Sequence, residues 1–306
     1  MKTRYKELFK QYISTFSRWN TIIATFSRSF KPSPFFALLT LFIFSSAHAV
    51  PPACQDIFQN GLQSNRGDGY IRFNYNSRLI DPSSNTLLTK YVGTNAWSAI
   101  KSCGENHCNQ SDNAGPRLYA GPLKTTTSVN TAVVPPHVKQ TLGQAANEFS
   151  SVRIDEWATA EFSTAHNEYI IDTLDMSHKS TLRLPAGTYW IKNLKLEVDG
   201  KIDVLGEGTV TLFVESPLTL PLNFRVNEGS KNPAKFAIYA YSDLTFYVGS
   251  KTYAFTHVEN WATVHYTAAV VGGVIARDLE LLAQSQVRYD ALAVQELNFG
   301  DLCRSL

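Results

Sequence analysis

From Val152 onward, apolar residues come in alternating pairs, and each pair is followed by another that starts eight residues later. Val152/Ile154 leads to Ala160/Phe162, Leu174/Met176 to Leu182/Leu184, Leu194/Leu196 to Ile202/Val204, and Leu279/Leu281 to Val287/Tyr289. Leu244/Phe246 leads more weakly to Thr252/Ala254. Leu218/Leu220 reads as two residues shorter, with Phe224/Val226 as its second pair, and a faint copy begins at Ala262/Val264. A period of two marks strands with one buried face and argues against amphipathic helices.

The starts at 152, 174, 194, 218, 244, 262 and 279 are 17 to 26 residues apart. Ahead of several copies stands a further strand, such as Tyr169-Ile-Ile171, Tyr189-Trp-Ile191, Thr211-Leu-Phe-Val214, Phe236-Ala-Ile-Tyr239 and Gly273-Val-Ile-Ala276. Repeats of about twenty residues with strand-type polarity predict an all-β, parallel β-solenoid. We expect about seven irregular turns over 149–306. A lone turn of twenty residues loses roughly 30 kcal/mol of chain freedom. Its few inward side chains return about 1.5–3 kcal/mol each, so turns must stack.

The outward residue inside each pair tests this register. One column reads Arg153, Asp175, Lys195, Thr219, Thr245, Thr263, Glu280; the other reads Glu161, Arg183, Asp203, Arg225, Tyr253, Val271, Arg288. Both begin with alternating signs, which favours neighbours in a stack. The rows Asp175/Lys195 and Arg183/Asp203/Arg225 are therefore read as structural rather than catalytic.

Residues 50–148 carry one clear strand, Gly69-Tyr-Ile-Arg-Phe-Asn-Tyr75, amid turn-rich stretches such as Asp81-Pro-Ser-Ser. A solenoid end exposes strand edges and core, so we expect this segment to be a small, disulfide-stabilised N-terminal cap. The tail Leu297-Asn-Phe299-Gly-Asp-Leu-Cys303 is expected to close the other end.

Residues 1–49 combine a basic leader, the run Phe35-Phe-Ala-Leu-Leu-Thr-Leu-Phe-Ile-Phe44 and an Ala47-His-Ala49 site. This is the grammar of a signal peptide cut after Ala49, and the run is too short to span a bilayer. The mature chain is expected to have no transmembrane segment and to be exported to the periplasm, the outer surface or the medium. The leader is unusually long, which either a membrane-surface helix or a start codon placed too early explains. Export makes the four cysteines disulfide candidates. Cys103 and Cys108 enclose a four-residue loop, and Cys54 would then join Cys303, one of three connectivities. Zinc at Cys103, His107 and Cys108 would lack a second close pair. No metal or cofactor is expected.

The leader holds seven of the 28 basic residues and one of the 26 acidic ones, leaving a body of net charge −4. Such a body has no electrostatic reason to seek nucleic acid. Hydrolase elbows, zincin helices and phosphate loops are missing from the sequence, and no catalytic residue is assigned. His257 and His265 would face each other only if 256–266 were a loop. The aromatics Tyr189, Trp190, Tyr239, Tyr241, Tyr247, Tyr253, Trp261 and Tyr266 include candidates for an exposed strip for sugar or protein, with Trp190, Trp261 and Tyr241 the leading positions and some of the others expected in the core.

The stretch Leu184-Pro-Ala-Gly-Thr-Tyr-Trp-Ile191, with Leu194-Lys-Leu196 after it, resembles a turn of the MshQ-like family of MSHA (mannose-sensitive haemagglutinin) pilus biogenesis proteins. Ala53-Cys-Gln-Asp-Ile-Phe58, Gly69–Tyr75, Val210-Thr-Leu-Phe-Val214, Ala240-Tyr-Ser-Asp-Leu244, Gly273–Ala276 and Phe299-Gly-Asp-Leu-Cys303 are similar to that family as well. The resemblance implies a Gram-negative envelope or surface protein linked to type IV pili, with pilus or envelope proteins or surface glycans as partners. It implies no enzymatic activity and no site residues. Members are often far longer, so a chain ending at Leu306 is expected to be a minimal or truncated one. A polysaccharide lyase or hydrolase, and a glycan- or matrix-binding module, are the alternatives kept open.

Overall fold

The computed structural model describes residues 57–58, 61–66, 68–80, 86–88, 91–94, 109–111 and 120–297. It is all-β, about 56% strand, and forms a parallel solenoid of about 8 turns between Thr131 and Tyr289. Three columns of strands run along the coil, here called the first, second and third faces. On the first, Val152 pairs with Leu174 and Leu174 with Leu194; further along, Leu218, Leu244, Ala262 and Leu279 follow one another in register. The second carries Ala160, Leu182, Ile202, Val226, Thr252, Val270 and Val287 as inward neighbours. The third stacks Ile171, Ile191, Val214, Ala240, Val258 and Ala276. Apart from the buried Thr252, these side chains form one continuous core.

A corner of constant construction joins the first face to the second. Its first residue accepts a hydrogen bond from its fourth, as from Ala158 N to Asp155 O (3.1 Å), Phe224 N to Pro221 O (3.1 Å) and Ala268 N to His265 O (2.9 Å). The third residue is left-handed in nine consecutive turns, at His137, Trp157, Lys179, Asp199, Asn223, Gly249, Thr267, Gln284 and Asn76, with φ from 56° to 68°. Its N–H reaches the next turn, as from Asp199 to Leu222 O (3.0 Å) and Asn223 to Val248 O (3.1 Å). A turn with positive φ at its third residue is the type II pattern, ordinarily filled by glycine or asparagine.

This corner corrects one pair. Leu218/Leu220 is followed by Val226 at the usual eight-residue interval, because Lys201 pairs with Arg225 and Ile202 with Val226. Phe224 is a corner residue, buried beside Gly200, where an added Cβ would stand 2.7 Å from its ring. Arg225 accordingly leaves the Arg183/Asp203 row and joins Lys201. The remaining rows stand as read: Glu161 neighbours Arg183, with an ion pair of 2.9 Å, and Arg183 neighbours Asp203.

Within the segment expected as an N-terminal cap, the described strands from Leu62 to Thr94 lie at the opposite end and add to the coil. Leu62–Ser64 pairs with residues 274–276, Tyr70–Phe73 with 279–281, and Arg78–Ile80 with Gln286–Tyr289. Thr86–Leu88 and Tyr91–Thr94 then stack on these. The physical reason is edge satisfaction, since the last turn offers a row of unpaired backbone groups that these strands occupy. The coil itself starts earlier than 149, because Thr131–Val134 and Lys139–Leu142 already pair with the next turn. Between the two parts, residues 120–130 cross the outside of the third face. Gly121 O accepts from the Tyr241 hydroxyl (2.9 Å), Lys124 binds Glu168 (2.5 Å) and Thr126 binds Glu148 (2.5 Å).

Helix α1, Ala291–Gln295, opens with Asp290 accepting from Ala293 N (3.0 Å) and packs beside the same face. The proposed signal peptide, the cysteines Cys54, Cys103, Cys108 and Cys303, and Phe299 lie outside the described residues. Among the described residues, no helix is long and apolar enough to cross a membrane.

Ile71 is fully buried in the added strands and Leu244 in the main coil. Replacing either with alanine is expected to cost about 3 kcal/mol in urea unfolding; a loss below about 1 kcal/mol at Ile71 would mean that the N-terminal strands are a loose attachment. Thr267 is β-branched at a left-handed φ of 56°. Thr267→Gly should therefore raise stability by about 1 kcal/mol in the same assay.

Candidate functional site

The first-to-second corner is also where the surface is most apolar. Twelve large hydrophobics are exposed among the described residues, and seven of them sit here: Val138, Trp157, Val198, Leu222, Tyr247, Tyr266 and Tyr75. They form a ridge roughly 40 Å long at about 4.8 Å per turn. The corner enforces this exposure for all but Val138, the fourth residue of its corner, because its first three residues project away from both sheets. Packing neighbours come only from the turns above and below.

At the N-terminal part of the ridge, Trp157 is 50% exposed and stacks on His137 at 6.4 Å, with Lys179 Nζ 4.4 Å from its ring centre. Its Nε1 donates to Glu156 (3.1 Å). His178 is held between Glu156 (3.1 Å) and Asp199 (3.4 Å), and Asn223 donates to the second oxygen of Asp199 (3.0 Å). The hydrogen bond from His178 holds the Glu156 carboxyl below its usual range, and that from Asn223 does the same for Asp199. Further along, Tyr247 leans on His265 with ring centres 4.8 Å apart. Burial pushes the His265 imidazole down, against the pull of Glu280.

The expected aromatic strip divides. Trp190 is 7% exposed, covered by the crossing segment, stacked on Phe213 at 4.0 Å and donating through Nε1 to Glu168 (2.8 Å). Tyr241 is half-buried with its hydroxyl on Gly121. Both therefore belong to a second apolar layer outside the third face, which also holds Phe213, Tyr239, Phe255 and Ile275. Strands buried on both sides lose the inside–outside alternation that marks an exposed aromatic. The Pro185–Trp190 turn is structural in the same way: Tyr189 points into the core and donates to Pro185 O (2.9 Å), while Trp190 points into the outer layer. Gly187 passes so close to the Asn167 carbonyl that a Cβ would lie 2.6 Å from its oxygen.

Trp261 is exposed, on the first face, with the edge of Tyr70 5.4 Å away and its backbone N–H donating to Asp243 Oδ1 (3.2 Å). His257 and His265 do not face each other. His257 is buried in the strand Lys251–Val264, on the third face against Tyr239 (4.7 Å), and His265 opens the corner. The threonines Thr219, Thr245 and Thr263 stack in register, ending at Glu280. Among the described residues, no group of three His, Cys, Asp or Glu is placed to hold a metal. The ridge itself was legible only in part: Tyr247 and Tyr266 stood among the aromatics read as exposed, while Val198 and Leu222 carry no signal apart from their corner position. No family model, curated protein or solved structure matches the chain.

In an NMR pH series the His265 ring should titrate below 6.5. A depressed imidazole stabilises the fold above its unfolded value, and that contribution is lost as pH falls through the lowered midpoint. Comparing unfolding midpoints at about pH 7.5 and about pH 5, His265→Phe should show a smaller acid loss than the parent chain.

Proposed function

We propose that the chain is an exported, non-catalytic β-solenoid that serves structurally or adhesively at a Gram-negative cell envelope, in MSHA-type pilus biogenesis or surface attachment. The observation that carries this reading is the ridge, where a rigid corner presents tyrosine, tryptophan and aliphatic side chains in a line. A monomeric surface ordinarily scatters such residues, and a line of them marks a contact surface. Tyrosine and tryptophan bring large apolar area with a polar tip and little rotamer entropy to lose, which suits sugars and protein surfaces alike.

The resemblance to the MSHA family supports the envelope and pilus setting. The Phe35–Phe44 run and Ala47-His-Ala49 support export to the periplasm, the surface or beyond. Pilus or envelope proteins and surface glycans are the partners this reading implies.

The test replaces Tyr75, Tyr247 and Tyr266 together with serine. Cells producing this variant should adhere several-fold less to a colonised surface. The unfolding free energy should stay within about 0.5 kcal/mol per site, since exposed positions contribute little to stability. Undiminished adherence by a folded, exported variant would remove the attachment reading.

A further inference from the structure

Next to the ridge, the second face carries cations on consecutive turns: Lys201 pairs with Arg225 and Arg225 with Lys251. Parallel register puts such neighbours about 4.8 Å apart, where like charges oppose stacking. Lys201 and Arg225 are partly neutralised, by Asp203 (3.5 Å) and Glu228 (3.6 Å). Lys251 has no carboxylate in ion-pair range among the described residues, and neither has Arg78, three turns further on. Between them the row narrows to Ala269 and Gln286, and a groove of about 500 Å³ opens there.

The groove's lining is polar apart from Ala269. Besides Lys251 and Arg78 it holds the amides of Asn76, Gln284 and Gln286 and the hydroxyl of Thr267. Asn76, Thr267 and Gln284 are the left-handed corner residues of three turns, so backbone geometry fixes where their side chains start. Asn76 Oδ1 is buried and accepts no hydrogen bond. Tyr266 and Tyr75 precede two of these residues and stand exposed along the same corner. Arg288 follows Gln286 by two residues on the same outward side of its strand.

We infer that this groove binds an acidic polysaccharide, with Arg78 and Lys251 each taking an anionic group of the sugar chain. The amides and Thr267 exchange hydrogen bonds with its hydroxyls. The two cations start roughly 14 Å apart along the backbone, over three turns, a spacing that successive charged units of a polymer can occupy. The amide groups supply both donors and acceptors, as a polyhydroxylated ligand requires. This inference rests on the attachment reading and names the ligand class next to the ridge. Carboxylate and sulfate groups would serve the same chemistry.

The test is calorimetric titration of the full chain with four probes of matched length: oligogalacturonate, a heparin oligosaccharide, a neutral malto-oligosaccharide and single-stranded DNA. One or both acidic glycans should bind, the preferred one identifying carboxylate or sulfate as the anionic group, and the neutral glycan should not. Arg78→Gln and Lys251→Gln should each weaken binding about tenfold, the size of one charged hydrogen bond. Ala269→Phe, which fills the groove without touching a charge, should abolish binding. Lys139→Gln, on the same face at the far end, should leave it unchanged. The inference fails if neither acidic glycan binds, if Lys139→Gln weakens binding as much as Lys251→Gln, or if DNA binds as tightly. Acidic-glycan binding that survives in a chain whose tyrosine variant adheres normally would remove the attachment reading and keep the groove.

Discussion

Backbone hydrogen bonding between parallel turns dictates almost everything else in this molecule. Each turn must repeat the interval of its neighbour, because a slip of one residue would turn every apolar side chain outward. The eight residues from one face to the next are the part of the turn held most constant, and the corner inside that interval is rebuilt nine times with different residues. Histidine, tryptophan, lysine, aspartate, threonine and glutamine all take a left-handed backbone there. Each costs of order 1–3 kcal/mol in isolation, so the hydrogen bonds between corners and the packed core must hold them in place.

Strict register also explains which parts of the structure could be read from sequence. Val152, Leu174, Leu194, Leu218, Leu244, Ala262 and Leu279 lie on one face because period-two alternation survives wherever one side of a strand meets water. It fails where both sides are covered: Trp190 and Tyr241 read as surface aromatics, yet a crossing segment buries or braces them. Phe224 misled for a different reason, being an apolar residue that fills the space left by Gly200 two positions ahead of Val226. Ile71/Phe73 and Leu79 carry the same eight-residue interval and went unread, and nothing in the linear order says that they follow Leu279 and Val287 in space.

The ridge and the groove share an origin. A corner that cannot bury its first three residues must display them, and repetition lines up what it displays. The same repetition turns a single small residue, Ala269, into a depression walled by the longer side chains of neighbouring turns. Half of this surface was within reach of sequence reasoning, through Tyr247 and Tyr266. The other half depends on Asn76 and Arg78, which reach the groove only because distant strands come together.

The placement of the N-terminal strands has a consequence for how the polypeptide matures. Ser64 bonds to the carbonyl of Arg277, and the Tyr289 hydroxyl bonds to the carbonyl of Phe58, so the partners lie 213 and 231 residues apart in the chain. Synthesis therefore releases these strands long before their docking site exists. Until the turn of Gln286–Tyr289 emerges, the strands Leu62–Ser64, Tyr70–Phe73 and Arg78–Ile80 have no complete edge on which to dock.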